Sequence, residues 1–264
     1  MRAALLLLPA LSCSSKAADS EHPAPSETGA ASDTQDTADS GPSVVTTSED
    51  EGATWSAPRN LTAELKDPDW RLFLQSPGNG IALADGTLVA PVQYRDASGL
   101  PWSTVIVSRD HGETWEVGAG ARGNTTESRV VELPGGLLML NMRDNRGGSR
   151  AVRVSADLGR TWTDHPSTRS ALPEPVCNAG LVRGADGRLW FMNPAVDAPP
   201  RRRMTLKASD DGGMTWPHER LLFEPSCAGY PCVVSMGERL GVLYEGGAAA
   251  HLIFERVRID EVVR

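Results

Sequence analysis

The polar residues best placed to do chemistry in this 264-residue chain stand in or beside short apolar runs. Glu127 lies in Thr-Thr-Glu-Ser-Arg-Val-Val-Glu-Leu, and Arg143 closes Leu-Met-Leu-Asn-Met-Arg. Arg201 opens a run of three arginines, Tyr230 sits in Ala-Gly-Tyr-Pro-Cys-Val-Val, and Glu245 ends Gly-Val-Leu-Tyr-Glu. A guanidinium meets a carboxylate through paired, charge-assisted hydrogen bonds. A phenol, with a pKa of about 10, is a poor nucleophile at neutral pH unless a neighbouring carboxylate takes its proton during attack. Each residue also has a plain reading. A Tyr before Pro is half-buried packing, a Glu in an alternating strand faces solvent, an arginine run is a solvated loop, and a Glu after an apolar strand caps it. Residue type alone does not choose between the two.

Other chemistries fit the sequence poorly. The cysteines beyond Cys13 are Cys177, Cys227 and Cys232, and neither they nor the five histidines show metal-ligand spacing. Cys227 and Cys232 are close enough in sequence to pair, or to remain packed thiols. Gly-Ala-Gly-Ala-Arg-Gly (118–123) satisfies a dinucleotide-loop pattern but lacks the strand-to-helix context that gives the pattern meaning. No cofactor is expected. The net charge of −8 disfavours a nucleic-acid partner.

The elements that must position these residues announce themselves through a repeat. Ser-x-Asp-x-Gly-x-Thr-Trp occurs four times, starting at Ser48, Ser108, Ser155 and Ser209, in steps of 60, 47 and 54 residues. Four of the seven tryptophans end these octets. The octet reads as a hairpin turn. Ser and Asp oxygens accept N–H groups that the turn leaves unpaired, Gly permits positive φ, Thr starts the outgoing strand and Trp packs into the sheet. Its acids are therefore structural. Short alternating strands lead into the turns, and Asp-Gly or Gly-Gly pairs mark further hairpins. A period near 50 in a β-rich chain without an amphipathic helix predicts an all-β propeller.

The start of the chain is different. Residues 1–18 have a basic start, an apolar run and small residues, the pattern of a secretory signal peptide. Cys13 after Ala-Leu-Ser is a candidate for lipid attachment. Residues 19–43 are rich in Ser, Thr, Asp, Ala and Pro, and hold too little apolar surface to offset chain entropy. They read as an acidic disordered linker, leaving 44–264 as the folded domain. The protein is expected to be secreted, or held at the cell surface or in the periplasm.

The octets resemble the Asp-boxes of the bacterial exo-α-sialidases, and the segments between them are similar to that family in order over about residues 44–258. Asp-Trp-Arg-Leu-Phe-Leu-Gln-Ser-Pro-Gly-Asn-Gly-Ile resembles its Pro-Gly-x-Gly-Ile region, and Leu-Pro-Glu-Pro-Val-Cys-Asn-Ala-Gly its Pro-Val-Cys stretch. The resemblance implies that Tyr230 is the nucleophile and Glu127 the catalytic glutamate that takes its proton. It implies that Arg143 and Arg201 bind the substrate carboxylate, with Arg202 the neighbour to consider, and that Glu245 supports the arginines. The implied reaction is release of terminal sialic acid from glycoconjugates with retained configuration, sialylated glycans being the partners.

The resemblance also implies six blades, whereas the residues from Ser48 onward hold roughly four units of the observed period. Family elements expected before this region are an Arg-Ile-Pro strand, a second early arginine and an Asp acid/base. The sequence between Cys13 and Val44 contains none of them. An incomplete ring is expected to leave open blade edges, a route to homo-oligomers. Two function classes follow: a sialidase with weakened activity, or a non-catalytic glycan-binding propeller descended from one.

Overall fold

The computed structural model describes residues 3–5, 42–227, 229–247 and 251–263. The signal peptide and linker expected over 1–43 lie outside the described residues, apart from Ala3–Leu5 and residues 42–43. Ala3–Leu5 pairs antiparallel with Val44–Ser48. The regular structure is otherwise strand, joined by turns and loops, apart from one short helix at Thr62–Leu65 and a 3-10 turn at Ile259–Glu261.

Four antiparallel meanders follow one another as blades of a propeller. The first runs Leu72–Gln75, Leu88–Arg95, Pro101–Ser108 and Glu116–Val117. The second runs Thr125–Leu133, Leu137–Asp144, Ala151–Ser155 and Thr163–Asp164. The third runs Gly180–Arg183, Leu189–Pro194, Arg202–Ser209 and His218–Ser226. The fourth has three strands, Gly229–Met236, Arg239–Gly246 and His251–Arg258. A hairpin of Val44–Ser48 and Arg59–Asn60 precedes them. In the second blade Pro134, Gly135 and Gly136 form the three-residue loop between Leu133 and Leu137, and both glycines take positive φ, 83° and 77°.

Each octet folds as expected. In the second copy, Ser108 Oγ accepts the Gly112 N–H at 2.7 Å and donates to Asp110 Oδ1, while the Thr114 N–H and hydroxyl both reach the Asp110 carboxylate. The other three repeat this pattern. The residue before the glycine also takes positive φ in every copy (Glu51, His111, Leu158 and Gly212), a demand the sequence pattern conceals. The tryptophans are less uniform: Trp115 is buried, whereas Trp55 is 41% exposed.

Apolar clusters fill the spaces between blades. Val89, Val105, Leu138 and Leu140 join the first blade to the second. Met139, Val152, Leu189 and Phe191 join the second to the third, and Trp190, Leu206, Val242 and Tyr244 the third to the fourth. Fully burying one such side chain contributes about 1.5–3 kcal/mol. Leu189–Pro194, in a blade between two others, is buried throughout, and Pro101–Ser108, between the second blade and the segment carrying Val45, Leu61 and Leu65, nearly so, in place of the alternation expected for half-exposed strands. The fourth blade turns Leu243, Leu252 and Phe254 outward, away from the third, and these remain exposed. Cys227 and Cys232 form no disulfide, so of the two readings the structure has the packed thiols.

Candidate active site

The first strands of the blades begin, and the second strands end, at one end of the propeller. The octets follow the third strands and so lie at the opposite end, away from any chemistry done here. A cavity of about 600 Å³ opens at the first end, lined by Gln93, Tyr94, Asn124, Glu127, Arg143, Asn145 and Tyr230, among others.

Three of the residues selected from sequence meet there. The Tyr230 hydroxyl donates to Glu127 Oε1 at 2.7 Å. Arg143 donates from one nitrogen to Glu127 Oε2 at 2.9 Å and to the Tyr230 oxygen at 3.3 Å. The Arg143 and Glu127 side chains are only 11% and 12% exposed.

Two β-bulges bring them together. In the second blade, Thr125 pairs with Asp144 but Ser128 pairs with Met142, so Thr126 and Glu127 together oppose Arg143. In the fourth, Gly229 pairs with Glu245 but Cys232 pairs with Leu243, so Tyr230 and Pro231 together oppose Tyr244. A bulge re-aims the side chain it carries. Here both bulges lie in first strands at the cavity end. Tyr230 has φ of 47°, a left-handed conformation that is uncommon outside glycine and further disfavoured before proline.

The electrostatics follow from burial. Removal from water, then the Glu127 carboxylate beside it, push the Tyr230 phenol far above the ordinary tyrosine range, with Arg143 opposing. Tyr230 is thus a neutral phenol whose proton already points at a carboxylate. Burial disfavours charge on Arg143, yet Glu127 more than offsets this and strengthens its hold on its proton.

Arg201 and Glu245 form a neighbouring group. Arg201 donates to the Val176 carbonyl at 2.8 Å, Val176 lines the cavity, and Arg201 packs beside Gly229. Burial raises the Glu245 carboxyl and the charge of Arg201 nearby opposes the rise.

Sequence reasoning missed the supports. Arg150 and Glu174 form a fully buried ion pair at 2.8 Å. Arg150 also donates to the Cys177 carbonyl and to Asn141, while Glu174 accepts the Asp144 N–H at 2.7 Å. The pair ties the residue after Arg143 to the Val176–Cys177 loop. Only a charged residue opening an apolar strand hinted at it. Tyr94, which lines the cavity, is held from behind by stacking between Trp70, with ring centroids 3.8 Å apart, and Trp102.

The chain matches the BNR repeat-like domain over residues 29–243. It is 46% identical over 231 residues to a sialidase of Bacteroides fragilis, covering 84% of this chain and 42% of that protein. It is 33% identical over 218 residues to a sialidase of Micromonospora viridifaciens, covering 77% and 33%. Among solved structures, the Hadza microbial sialidase Hz136 superposes with a TM-score of 0.78 at 46% identity, covering 83% of this chain and 44% of that one. The chain therefore spans less than half the length of these relatives. With four blades, four Asp-box turns and this degree of identity, it belongs to the sialidase family.

Proposed function

We propose that the protein is an exo-α-sialidase that releases terminal sialic acid from glycoconjugates through a covalent Tyr230 intermediate. The observation that carries this reading is the contact of Tyr230, Glu127 and Arg143 inside one cavity. Sialic acid bears a carboxylate on its anomeric carbon. That charge repels an acidic nucleophile and favours a phenol, and it gives a guanidinium something to hold.

In the first step the Tyr230 oxygen bonds to the anomeric carbon as the bond to the aglycone oxygen breaks, and the phenolic proton passes to Glu127 Oε1. Water then attacks the same carbon from the opposite face and releases a proton to solvent, which balances the aglycone that left as an anion, while the tyrosine oxygen departs and takes back the proton held on Glu127. Two inversions retain configuration. In this reading Arg143 engages the substrate carboxylate, and Arg201 joins it from the Val176 side. Among the described residues lining the cavity there is no aspartate, so departure of the aglycone is served best by groups that need no proton.

The test is proton NMR of an aryl α-sialoside during hydrolysis. Release of the α-anomer before mutarotation supports the proposal. Release of the β-anomer first, or no hydrolysis by purified protein, contradicts it.

A further inference from the structure

Arg129, two residues beyond Glu127, is buried, with 6% of its surface exposed. Its partners are main-chain carbonyls from other blades. Nε donates to Ala179 O at the start of the third blade, and Nη2 donates to Pro231 O in the fourth, at 3.4 Å. The first blade reaches it through Gly78, where an added Cβ would fall 0.9 Å from Nη1. One guanidinium thus touches all four blades near their first strands. Burial lowers its pKa to about 10, so it remains a cation at neutral pH.

A buried cation held by carbonyls is costly, and what it holds is informative. Pro231 follows Tyr230, whose left-handed φ of 47° is disfavoured both for its residue type and for its place before proline. Such a conformation persists only when its surroundings over-determine it. The bulge fixes one side of this dipeptide and Arg129 grips the other.

We propose that Arg129 is a positioning residue for Tyr230: by holding the Pro231 carbonyl from the propeller axis it keeps the Tyr230 backbone left-handed and the phenol aimed at Glu127. This rests on the reading of Tyr230 as nucleophile. A purely structural Arg129 would join blades without affecting the chemical step. Ser76, whose hydroxyl meets Ser128 beside Arg129 without touching the fourth blade, is the control for blade packing.

The experiment uses the full chain and an activated 2,3-difluorosialic acid that traps tyrosine, comparing wild type, Arg129→Lys, Arg129→Met and Ser76→Ala below their melting temperatures. The maximal rate of covalent labelling is separated from the concentration giving half that rate. Arg129→Lys is expected to lower the maximal rate about tenfold or more, as misplacement of a reacting atom does, with the half-saturating concentration unchanged. Ser76→Ala is expected to lower melting temperature alone. A wild-type maximal rate in Arg129→Lys overturns the proposal; wild type that is never labelled sinks the nucleophile reading instead. A crystal structure of Arg129→Lys, or of Arg129→Met if it folds, tests the positioning without turnover. Tyr230 should leave the left-handed region and lose Glu127, and an unchanged Tyr230 overturns the proposal.

Discussion

The hydroxyl of Tyr230 lies 2.7 Å from a carboxylate oxygen of Glu127, although 103 residues separate them in the chain. Two bulged first strands, one in the second blade and one in the fourth, bring the pair together, and Arg143 bridges the Tyr230 oxygen and the other carboxylate oxygen of Glu127.

Replacing Glu127 by Gln keeps the shape and removes the charge that accepts the phenolic proton. General-base assistance is worth about 10²–10⁴ in rate. Hydrolysis of an aryl sialoside by Glu127→Gln should fall by that factor, measured as kcat/KM. A fall of less than threefold, on the same scale, would show that the proton goes elsewhere.

Leaving groups should matter. With no aspartate lining the described cavity, aryl sialosides should be cleaved far faster than sialyllactose. Initial rates on both substrates, at equal saturation, check this. Comparable rates would mean that an acid reaches the aglycone.

The octet aspartates should contribute an acid-sensitive part of the fold's stability. Asp50, Asp110 and Asp157 are held to about 2, from 3.8, first by the threonine hydroxyl and then by the threonine N–H and the serine. In Asp211 burial opposes the same bonds and loses. Because the folded values are depressed, this stabilisation is complete above 3.8 and disappears as pH falls toward 2. Melting temperature should drop steeply over that window. Asp110→Asn should melt lower at neutral pH with a shallower acid drop, while labelling of Tyr230 is unchanged, since the octets lie at the far end. Parallel pH profiles for the two proteins would contradict the assignment.

Arg150→Met should destabilise the fold by about 3–5 kcal/mol, because it leaves the buried Glu174 carboxylate without its counter-charge. Adding Glu174→Leu should recover much of that loss in urea unfolding, since an apolar pair removes the stranded charge. A double variant no more stable than the single one would place the loss in the Asp144 and Cys177 bonds instead.

What the sequence made legible was local or ordered. The octets could be read because each makes its hydrogen bonds within eight residues, as Ser108, Asp110, Gly112 and Thr114 do. Glu127, Arg143 and Tyr230 could be chosen through family order, but the bulges that aim them leave no pattern, because one extra residue in a strand looks like any other. Burial on both faces of Leu189–Pro194 was hidden for a related reason: it depends on the neighbouring blades. Arg129 and Arg150 read as strand charges in sequence and become buried only when distant carbonyls and Glu174 close around them.

The most direct test of the account is trapping with a 2,3-difluorosialic acid derivative followed by peptide mass analysis. The account predicts one added sugar on the peptide carrying Tyr230, absent in Tyr230→Phe. Retained binding of sialylated glycans with no covalent adduct, or an adduct on another residue, would contradict it.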